Sequence, residues 1–132
     1  MKRLEIEVTP GEYAVAKLGP DAPVPAGLLA AGAAEFVSVT RTPAELSVTC
    51  RAGKVPAGAE VEAGLRLLTV CGPLAFTLTG VIAALANELA AAGIALFTVS
   101  TFDTDHVLVK EADLARAVET LRAAGHEVGV AA

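Results

Sequence analysis

Apolar and polar residues alternate at the start of the chain, and this alternation predicts β-structure. Between residues 4 and 8 every second side chain is apolar and the others are charged or polar, as in a half-buried strand. The Thr-Pro-Gly sequence at 9–11 predicts the end of that strand, and the apolar run at 13–18 predicts a second one. Pro25 then predicts the first residue of a short helix that ends near Ala31.

The middle of the chain carries two further β-type runs and a connector. The runs at 36–40 and 46–50 predict two strands, joined by a turn around Pro43. Residues 53–64 contain three glycines and a proline and have no apolar face. This segment predicts a connector, or a place where a helix has been lost, before a strand at 65–71.

In the second half, the apolar positions change to helical spacing. Val81, Leu85 and Leu89 form one stripe, with Thr79 as the predicted N-cap and Gly93 at the predicted C-terminal end.

The rest of the second half completes a regular unit. Apolar runs at 94–99 and 106–109 predict two strands. A stripe at Leu114, Val118 and Leu121 predicts a second helix with Gly125 after its end, and 127–130 predicts a last strand. Residues 67–130 therefore predict one βαββαβ unit.

The two halves of the sequence correspond to each other. A shift of 60 residues places Val39 on Val99 and Glu45 on Asp105. We therefore predict an α+β fold of two ferredoxin-like (βαββαβ) units in tandem, at 1–64 and 65–132, the first degraded and lacking its second helix.

Composition and charge narrow the class of protein. The chain has 132 residues, 54% of them hydrophobic, and a formal net charge of −5. A packed core is expected. Nucleic acids and anionic membranes favour a basic surface, so the negative charge argues against both as partners. Glu5 and Glu7 interrupt what would otherwise start like a signal peptide, and Asn87 and Glu88 interrupt the longest apolar run. We expect a cytoplasmic location and no membrane span.

Two segments of the second half can hold a small molecule. The segment at 78–81 opens a helix, where unpaired N–H groups favour an anion and Gly80 lets a ligand approach the backbone. The corner at 100–105 offers hydroxyls and carboxylates for an ammonium group. Each has a simpler interpretation: a capped helix with a tolerated glycine, and a hairpin turn in which Asp103 and Asp105 cap the backbone.

Catalytic and metal chemistry find little support in the sequence. His106 and His126 lack a second ligand at metal spacing, and no glycine-rich loop has nucleotide-binding spacing, so we predict no metal and no cofactor. Ser100, Asp105 and His106 lack the nucleophile elbow of a hydrolase. Cys50 and Cys71 form no CxxC and are expected to be buried thiols, with a disulfide as the alternative.

These segments resemble the ACT-domain family, whose members are small regulatory modules that bind amino acids. More narrowly, nearly the whole chain resembles the small tandem-ACT proteins, which are related to aspartate kinase regulatory regions and to arginine sensors. The shared motifs of the C-terminal half are Gly72-Pro73-Leu74, Leu78-Thr79-Gly80-Val81, Ser100-Thr101-Phe102-x-Thr104-Asp105 and Val107-Leu108-Val109. Those of the N-terminal half are Tyr13-Ala14-Val15 and Ser38-Val39-Thr40-Arg41-Thr42-Pro43-x-Glu45-Leu46-Ser47.

The resemblance implies an amino-acid site between ACT units, often across a dimer interface. By position, the ligand carboxylate would meet the backbone of a loop formed by Ala75, Phe76, Thr77, Leu78, Thr79, Gly80 and Val81. The other wall would be Ala95 and Leu96, on the strand that pairs across units. Thr101, Phe102 and Asp105 would close the site, with Asp105 as the candidate for the ammonium group.

One residue departs from the pattern of the arginine sensors, and two other functions compete with the leading hypothesis. The arginine sensors carry an acidic residue where this chain has Leu78, so we expect a small or apolar amino acid rather than arginine. The leading hypothesis is a non-catalytic sensor that forms a homodimer and regulates a separate protein. The alternatives are a structural interaction module that binds no ligand and a small hydrolase or isomerase using Asp103, Asp105 or His106.

Overall fold

The computed structural model describes residues 3–32, 35–72 and 80–131. The chain forms two compact units, one of Met1–Pro10 with Arg66–Ala132 and the other of Gly11–Leu65. The elements, in chain order, are β1 (Glu5–Leu18), β2 (Ser38–Arg41), β3 (Leu46–Arg51), a 3₁₀ turn (Ala52–Lys54), β4 (Glu60–Val70), α1 (Val81–Ala91), β5 (Leu96–Ser100), β6 (Asp105–Lys110), a 3₁₀ turn (Glu111–Asp113), α2 (Leu114–Ala123) and β7 (Glu127–Val130).

The C-terminal unit is the predicted βαββαβ arrangement with one additional strand. The start of β1 lies between β7 and β4, which gives the strand order β7-β1-β4-β6-β5. It pairs with β7 in parallel, Glu5 opposite Glu127 and Val8 opposite Val130. On the other side, the Cys71 N–H donates to the Glu5 carbonyl at 2.8 Å. The first strand, whose partner the sequence left open, therefore belongs to this unit.

One face of this sheet and the two helices enclose a single apolar core. Val81, Leu85 and Leu89 contribute the predicted stripe of α1, and Leu121 contributes from α2. The glycine ends predicted for both helices are confirmed. Gly93 and Gly125 adopt positive φ, and the next residue donates its N–H back to the helix, Ile94 to Leu89 at 2.9 Å and His126 to Leu121 at 3.1 Å.

The N-terminal unit has the strand order β2-β3-β1-β4, in which β1 and β3 are antiparallel from Tyr13 opposite Arg51 to Leu18 opposite Leu46. This is the strand order of a ferredoxin-like sheet. Its described residues contain no α-helix, whereas the sequence predicted the loss of the second helix only. The origin of this unit as a degraded copy stays a prediction.

The short helix predicted from Pro25 to about Ala31 is wrong. Two turns replace it, closed by hydrogen bonds from the Leu28 N–H to the Pro25 carbonyl at 3.3 Å and from Ala30 to Gly27 at 3.2 Å. Gly27 has a φ of +80°, outside the helical region, so the turn cannot propagate. Leu28 is nevertheless buried in the small core of this unit.

Two predicted strand boundaries are also wrong. β1 does not stop at 9–11, because Pro10 lies between the ladder with β7, which ends at Val8, and the ladder with β3, which begins at Tyr13. The N–H that proline lacks is therefore not needed by either ladder. β4 begins at Glu60 rather than Leu65. Residues 60–63 are all exposed, so this part of the strand lacks the buried apolar residues from which the rest was predicted.

His106 lies on the face of the C-terminal sheet opposite the helices, because its neighbours Val107 and Val109 point into the core. One of its ring nitrogens, Nδ1, is 2.9 Å from the Thr69 hydroxyl oxygen. Burial lowers the pKa of His106 below its ordinary value of 6.5, and the neighbouring Asp105 carboxylate only partly offsets this. The folded protein therefore favours the neutral ring.

The stability of the protein should depend on pH through His106. As pH falls through about 6.5, the unfolded chain binds a proton that the folded ring resists, so the free energy of unfolding decreases. His106→Gln keeps a partner for Thr69 and removes this titration. Melting curves at several pH values should show the wild type losing stability relative to the variant below about pH 6.5. Parallel pH profiles of the two proteins would contradict this assignment.

Candidate functional site

The start of α1 is the first part of the predicted site. Of its proposed loop, Ala75, Phe76, Thr77, Leu78 and Thr79 lie outside the described residues, whereas Gly80 and Val81 lie within them. Gly80, and not Thr79, holds the N-cap position, since its φ is +84° and α1 begins at Val81. Its carbonyl accepts the N–H of Ala84 at 2.9 Å.

Among the described residues, the start of α1 has neither a side-chain cap nor an acidic residue in its first turn. The partial positive charge of the helix end is therefore not neutralised from within the helix. A Cβ built on Gly80 would meet no described atom within 4 Å, so the backbone here is accessible.

The β5–β6 hairpin supplies the second part of the site. Ser100 lies opposite Asp105, and the four residues between them form the tip. The Thr101 N–H donates to the Thr104 carbonyl at 2.9 Å, and the Ser100 hydroxyl donates to Asp105 Oδ1 at 2.5 Å. Phe102, at the tip, is 83% exposed. The tip therefore presents an apolar ring and, at its base, a half-buried carboxylate.

A hydrogen bond fixes this tip to the strand that precedes the helix. The Thr104 hydroxyl donates to the carbonyl of Val70, the last residue of β4. Since α1 must run back along the sheet before β5 begins, its start lies at the same end of the sheet. The fold therefore brings Gly80, Thr101, Phe102 and Asp105 to one end of the C-terminal unit.

Ala95 and Leu96 are not at that end within one copy of the chain. Leu96 begins β5 and lies opposite Val109, four residues from Ser100. At about 3.3 Å per residue, this is roughly 13 Å along the strand. Leu96 also packs partly against the core. Residues from a second copy would be needed to bring these positions next to the hairpin tip.

The residues considered for catalysis do not form a catalytic arrangement. The His106 ring contacts Thr69, whereas the Asp105 carboxylate accepts from Ser100, and neighbours on one strand point to opposite faces. Burial, followed by the nearby Glu7 and Glu5, raises the pKa of the Cys71 thiol and so disfavours a nucleophilic thiolate. Cys50 is fully buried, and both cysteines are free.

The described part of the chain offers neither a metal-binding cluster nor a membrane-crossing helix. Residues 3–32, 35–72 and 80–131 contain no cluster of three or more His, Cys, Asp or Glu side chains placed to bind a metal ion. None of the helices in those ranges combines the length and the apolar character needed to cross a membrane.

His126 has a structural role that the sequence pattern did not predict. Its Nδ1 accepts the Leu4 N–H at 3.1 Å, and its Nε2 lies 3.3 Å from Glu88 Oε2. The ring therefore links Leu4, just before β1, to α1, the helix whose first residues belong to the predicted site. The pattern gives only one hint of this: His126 directly follows the glycine that ends α2.

Comparisons with known proteins agree with this architecture. A sequence model of the ACT domain matches residues 60–123, and a second family model, described as an N-terminal domain, matches residues 11–58. A comparison with curated proteins gave no match.

Solved structures extend the similarity to the whole chain. Protein Atu0741 from Agrobacterium tumefaciens is 35% identical, has a TM-score of 0.88 and is aligned over 100% of this chain and 96% of its own. Protein VC0802 from Vibrio cholerae, described as of unknown function and a possible transport protein, is 23% identical with a TM-score of 0.70 over 91% and 88% of the two chains. The ligand-free regulatory subunit of aspartate kinase from Thermus thermophilus is 13% identical with a TM-score of 0.65 over 94% and 99%.

The last two similarities concern the fold alone. Family membership rests on two other findings: the domain match from β4 to α2, and the relative with 35% identity along the full length. The resemblance inferred from the sequence motifs is thereby confirmed, and this chain belongs to the ACT-domain family.

Proposed function

We propose that this chain is a non-catalytic regulatory module that binds a small or apolar amino acid at the start of α1, in a site completed by a second copy of the chain. One observation carries the proposal: a glycine-opened helix start with no described side-chain cap lies at the same end of the sheet as a polar hairpin tip. The first favours a carboxylate and the second an ammonium group.

The helix start is proposed to hold the ligand carboxylate. The first N–H groups of α1 point out of the helix end, where partial positive charge favours an anion. Gly80 keeps this backbone open because it has no Cβ. The preceding residues 75–79 are proposed to add further backbone groups to the same anion.

The hairpin is proposed to hold the ammonium group. Asp105 is half-buried, and its Oδ1 accepts the Ser100 hydroxyl, which leaves the second carboxylate oxygen for a ligand. Thr101 and the exposed Phe102 would then cover the ligand. A small or apolar side chain suits Phe102 and Leu78 better than a charged one.

The second copy is proposed to pair through β5, which lies at an edge of its sheet. An antiparallel two-fold pairing centred on Thr98 would place Leu96 of one copy opposite Ser100 of the other, and Ala95 opposite Thr101. Such a homodimer brings together the two groups of site residues that one copy keeps apart. It would also cover part of Phe97, which is 40% exposed.

The regulatory effect is proposed to act on a separate protein in the cytoplasm. A ligand can change the arrangement of the module only by the difference in its affinity for two states. Because the site is shared between copies, the affected equilibrium would be the packing of the dimer or its contact with the regulated protein.

The test of the carboxylate site is a substitution at Gly80. In the wild type, the best ligand from a panel of the protein amino acids, at 100 times its dissociation constant, should add about 2.7 kcal/mol to the free energy of unfolding. Gly80→Leu should abolish the part of this gain that comes from binding at the helix start, because its side chain fills the approach to that backbone. The positive φ should also cost it about 1–2 kcal/mol of stability. Thermal melting with and without amino acid measures both effects.

Gly125→Leu is the matched control. Gly125 also has a positive φ, +100°, and open space around a Cβ, but it follows α2. It should lose similar stability and keep the ligand-dependent gain. A full gain in Gly80→Leu would mean that the site is misplaced, and no gain in the wild type with any amino acid would favour the interaction module.

Asp105→Asn tests the ammonium site. Losing a charged hydrogen-bond acceptor should cost about 1.5–3 kcal/mol of binding, which weakens the affinity roughly 10- to 100-fold. Calorimetric titration with the amino acid that stabilises the wild type measures this change. Asp103→Asn, at the exposed tip of the same hairpin, should bind nearly as the wild type does. Equal losses in both variants would exclude a specific contact by Asp105.

Thr98→Lys tests the second copy. A two-fold axis at Thr98 would bring the two lysines together, so the variant should be a monomer in sedimentation velocity and should lose the ligand-dependent gain in stability. Thr40→Lys, on the edge strand β2 of the other unit, should leave both properties unchanged. A monomeric Thr98→Lys that binds the amino acid with wild-type affinity would contradict a shared site.

A further inference from the structure

The N-terminal unit contains a cleft that the sequence motifs did not predict as a binding site, although three of its residues belong to the shared motif. It is lined by Pro20 and Asp21 from the turn after β1, and by Arg41, Thr42 and Pro43 from the end of β2 and the following tip. Its volume is about 440 Å³. The cleft is largely open to solvent, so a ligand there would be held by the charged side chains of the walls rather than by enclosure.

The cleft occupies the position that corresponds to the proposed site of the C-terminal unit. Both hairpins have four-residue tips, since Arg41 lies opposite Leu46 and Ser100 lies opposite Asp105. The Thr42 N–H donates to the Glu45 carbonyl at 2.9 Å, as that of Thr101 does to Thr104. At the tips, the structural correspondence is therefore a shift of 59 residues rather than 60.

Carried along the sequence, this shift relates one residue of each wall of the cleft to a residue at or beside the proposed site. Asp21 corresponds to Gly80, and Arg41 corresponds to Ser100. The N-terminal cleft thus lacks a glycine-opened helix start, and it carries a cation and an anion as side chains instead. A ligand there would have to be recognised by different chemistry.

Arg41 is held in place with part of its binding capacity unused. Its Nη2 donates to the Ala22 carbonyl at 2.7 Å, and its Nη1 donates to the Pro20 carbonyl. A guanidinium group has five N–H donors, so three remain beyond these two bonds. Among the described residues, Arg41 forms no ion pair. The turn carbonyls therefore orient an exposed positive charge that a carboxylate can approach.

Asp21 supplies the opposite charge in the same cleft. It is exposed, and the described part of the chain provides it with no cation within ion-pair distance. A simple anion would be attracted by Arg41 but repelled by Asp21, and a simple ammonium ion would meet the reverse. Only a ligand with both charges close together satisfies the two side chains at once.

We propose that this cleft is a second binding site for a small amino-acid zwitterion, with its carboxylate on the free N–H groups of Arg41 and its ammonium group on Asp21. A purely structural role for Arg41, as a tether for the turn after β1, needs no contribution from Asp21. The proposal stands without the proposed function, because it uses only residues of the N-terminal unit.

The experiment is an NMR titration of the full chain with three probes: alanine, acetate and methylammonium. Alanine should shift the backbone amide signals of Asp21, Ala22, Thr42 and Ala44. Acetate and methylammonium should bind there at least about tenfold more weakly, because each makes one of the two charged contacts.

Two variants and a control complete the test. Asp21→Asn leaves the Arg41 tether intact and should reduce alanine binding to the level of acetate. Arg41→Gln should remove the response to both alanine and acetate, and Arg3→Gln, an exposed arginine of the other unit, should change neither. Wild-type alanine binding by Asp21→Asn, or equal affinity for alanine and acetate, would overturn the proposal.

The same spectra separate this site from the proposed one. Shifts at Gly80 and Thr101 without shifts at Asp21 and Thr42 would overturn the second site and leave the proposed function standing. Shifts at Asp21 and Thr42 alone would support the second site and count against the proposed function.

Discussion

The C-terminal unit depends on the pairing of the first strand between β4 and β7. Leu4, Ile6 and Val8 from this strand enter the same core as the stripes of both helices. Backbone hydrogen bonds connect this strand to β7 at both ends: the Glu127 N–H donates to the Leu4 carbonyl and the Ala131 N–H to the Val8 carbonyl, each at 2.9 Å. The surface on which α1 packs therefore combines residues far apart in sequence, and the position of Gly80 follows from that packing.

The proposed ligand contacts and the buried core involve different parts of α1. The apolar face of α1 is fixed by the buried side chains of Val81, Leu85 and Leu89, whereas its first turn carries no acidic residue and no described side-chain cap. At an N-cap, a capping side chain stabilises a helix by only a few tenths of a kcal/mol more than glycine does. Its replacement here by a glycine of positive φ is a local choice that the core does not require, and a site that needs open amides gives it a reason.

Much of the fold, and less of the site, was predictable from sequence. Helical spacing and terminal glycines located α1 and α2, because an amphipathic stripe is a local property. The continuation of β1 past Pro10 and the early start of β4 were missed, because both depend on which strands lie alongside. The helix predicted from Pro25 failed, because Gly27 adopts a conformation that a propensity argument does not include. Phe102 and Asp105 entered the proposed site through motif resemblance, whereas the cleft at Arg41 needed the turn and the hairpin tip together in space.

The edge position of β5 connects the proposed binding site to regulation. A strand at the edge of a sheet offers backbone groups to a second copy, and four residues of β5, 97–100, separate Leu96 from Thr101, the nearest members of the two groups of proposed site residues. If both copies contribute to one ligand, binding and dimer formation share a coupling free energy, and each must strengthen the other by the same factor. A change in amino-acid concentration would then appear as a change in the population of dimer. The proposed module could pass that change to a separate protein through the surface that the dimer creates or covers.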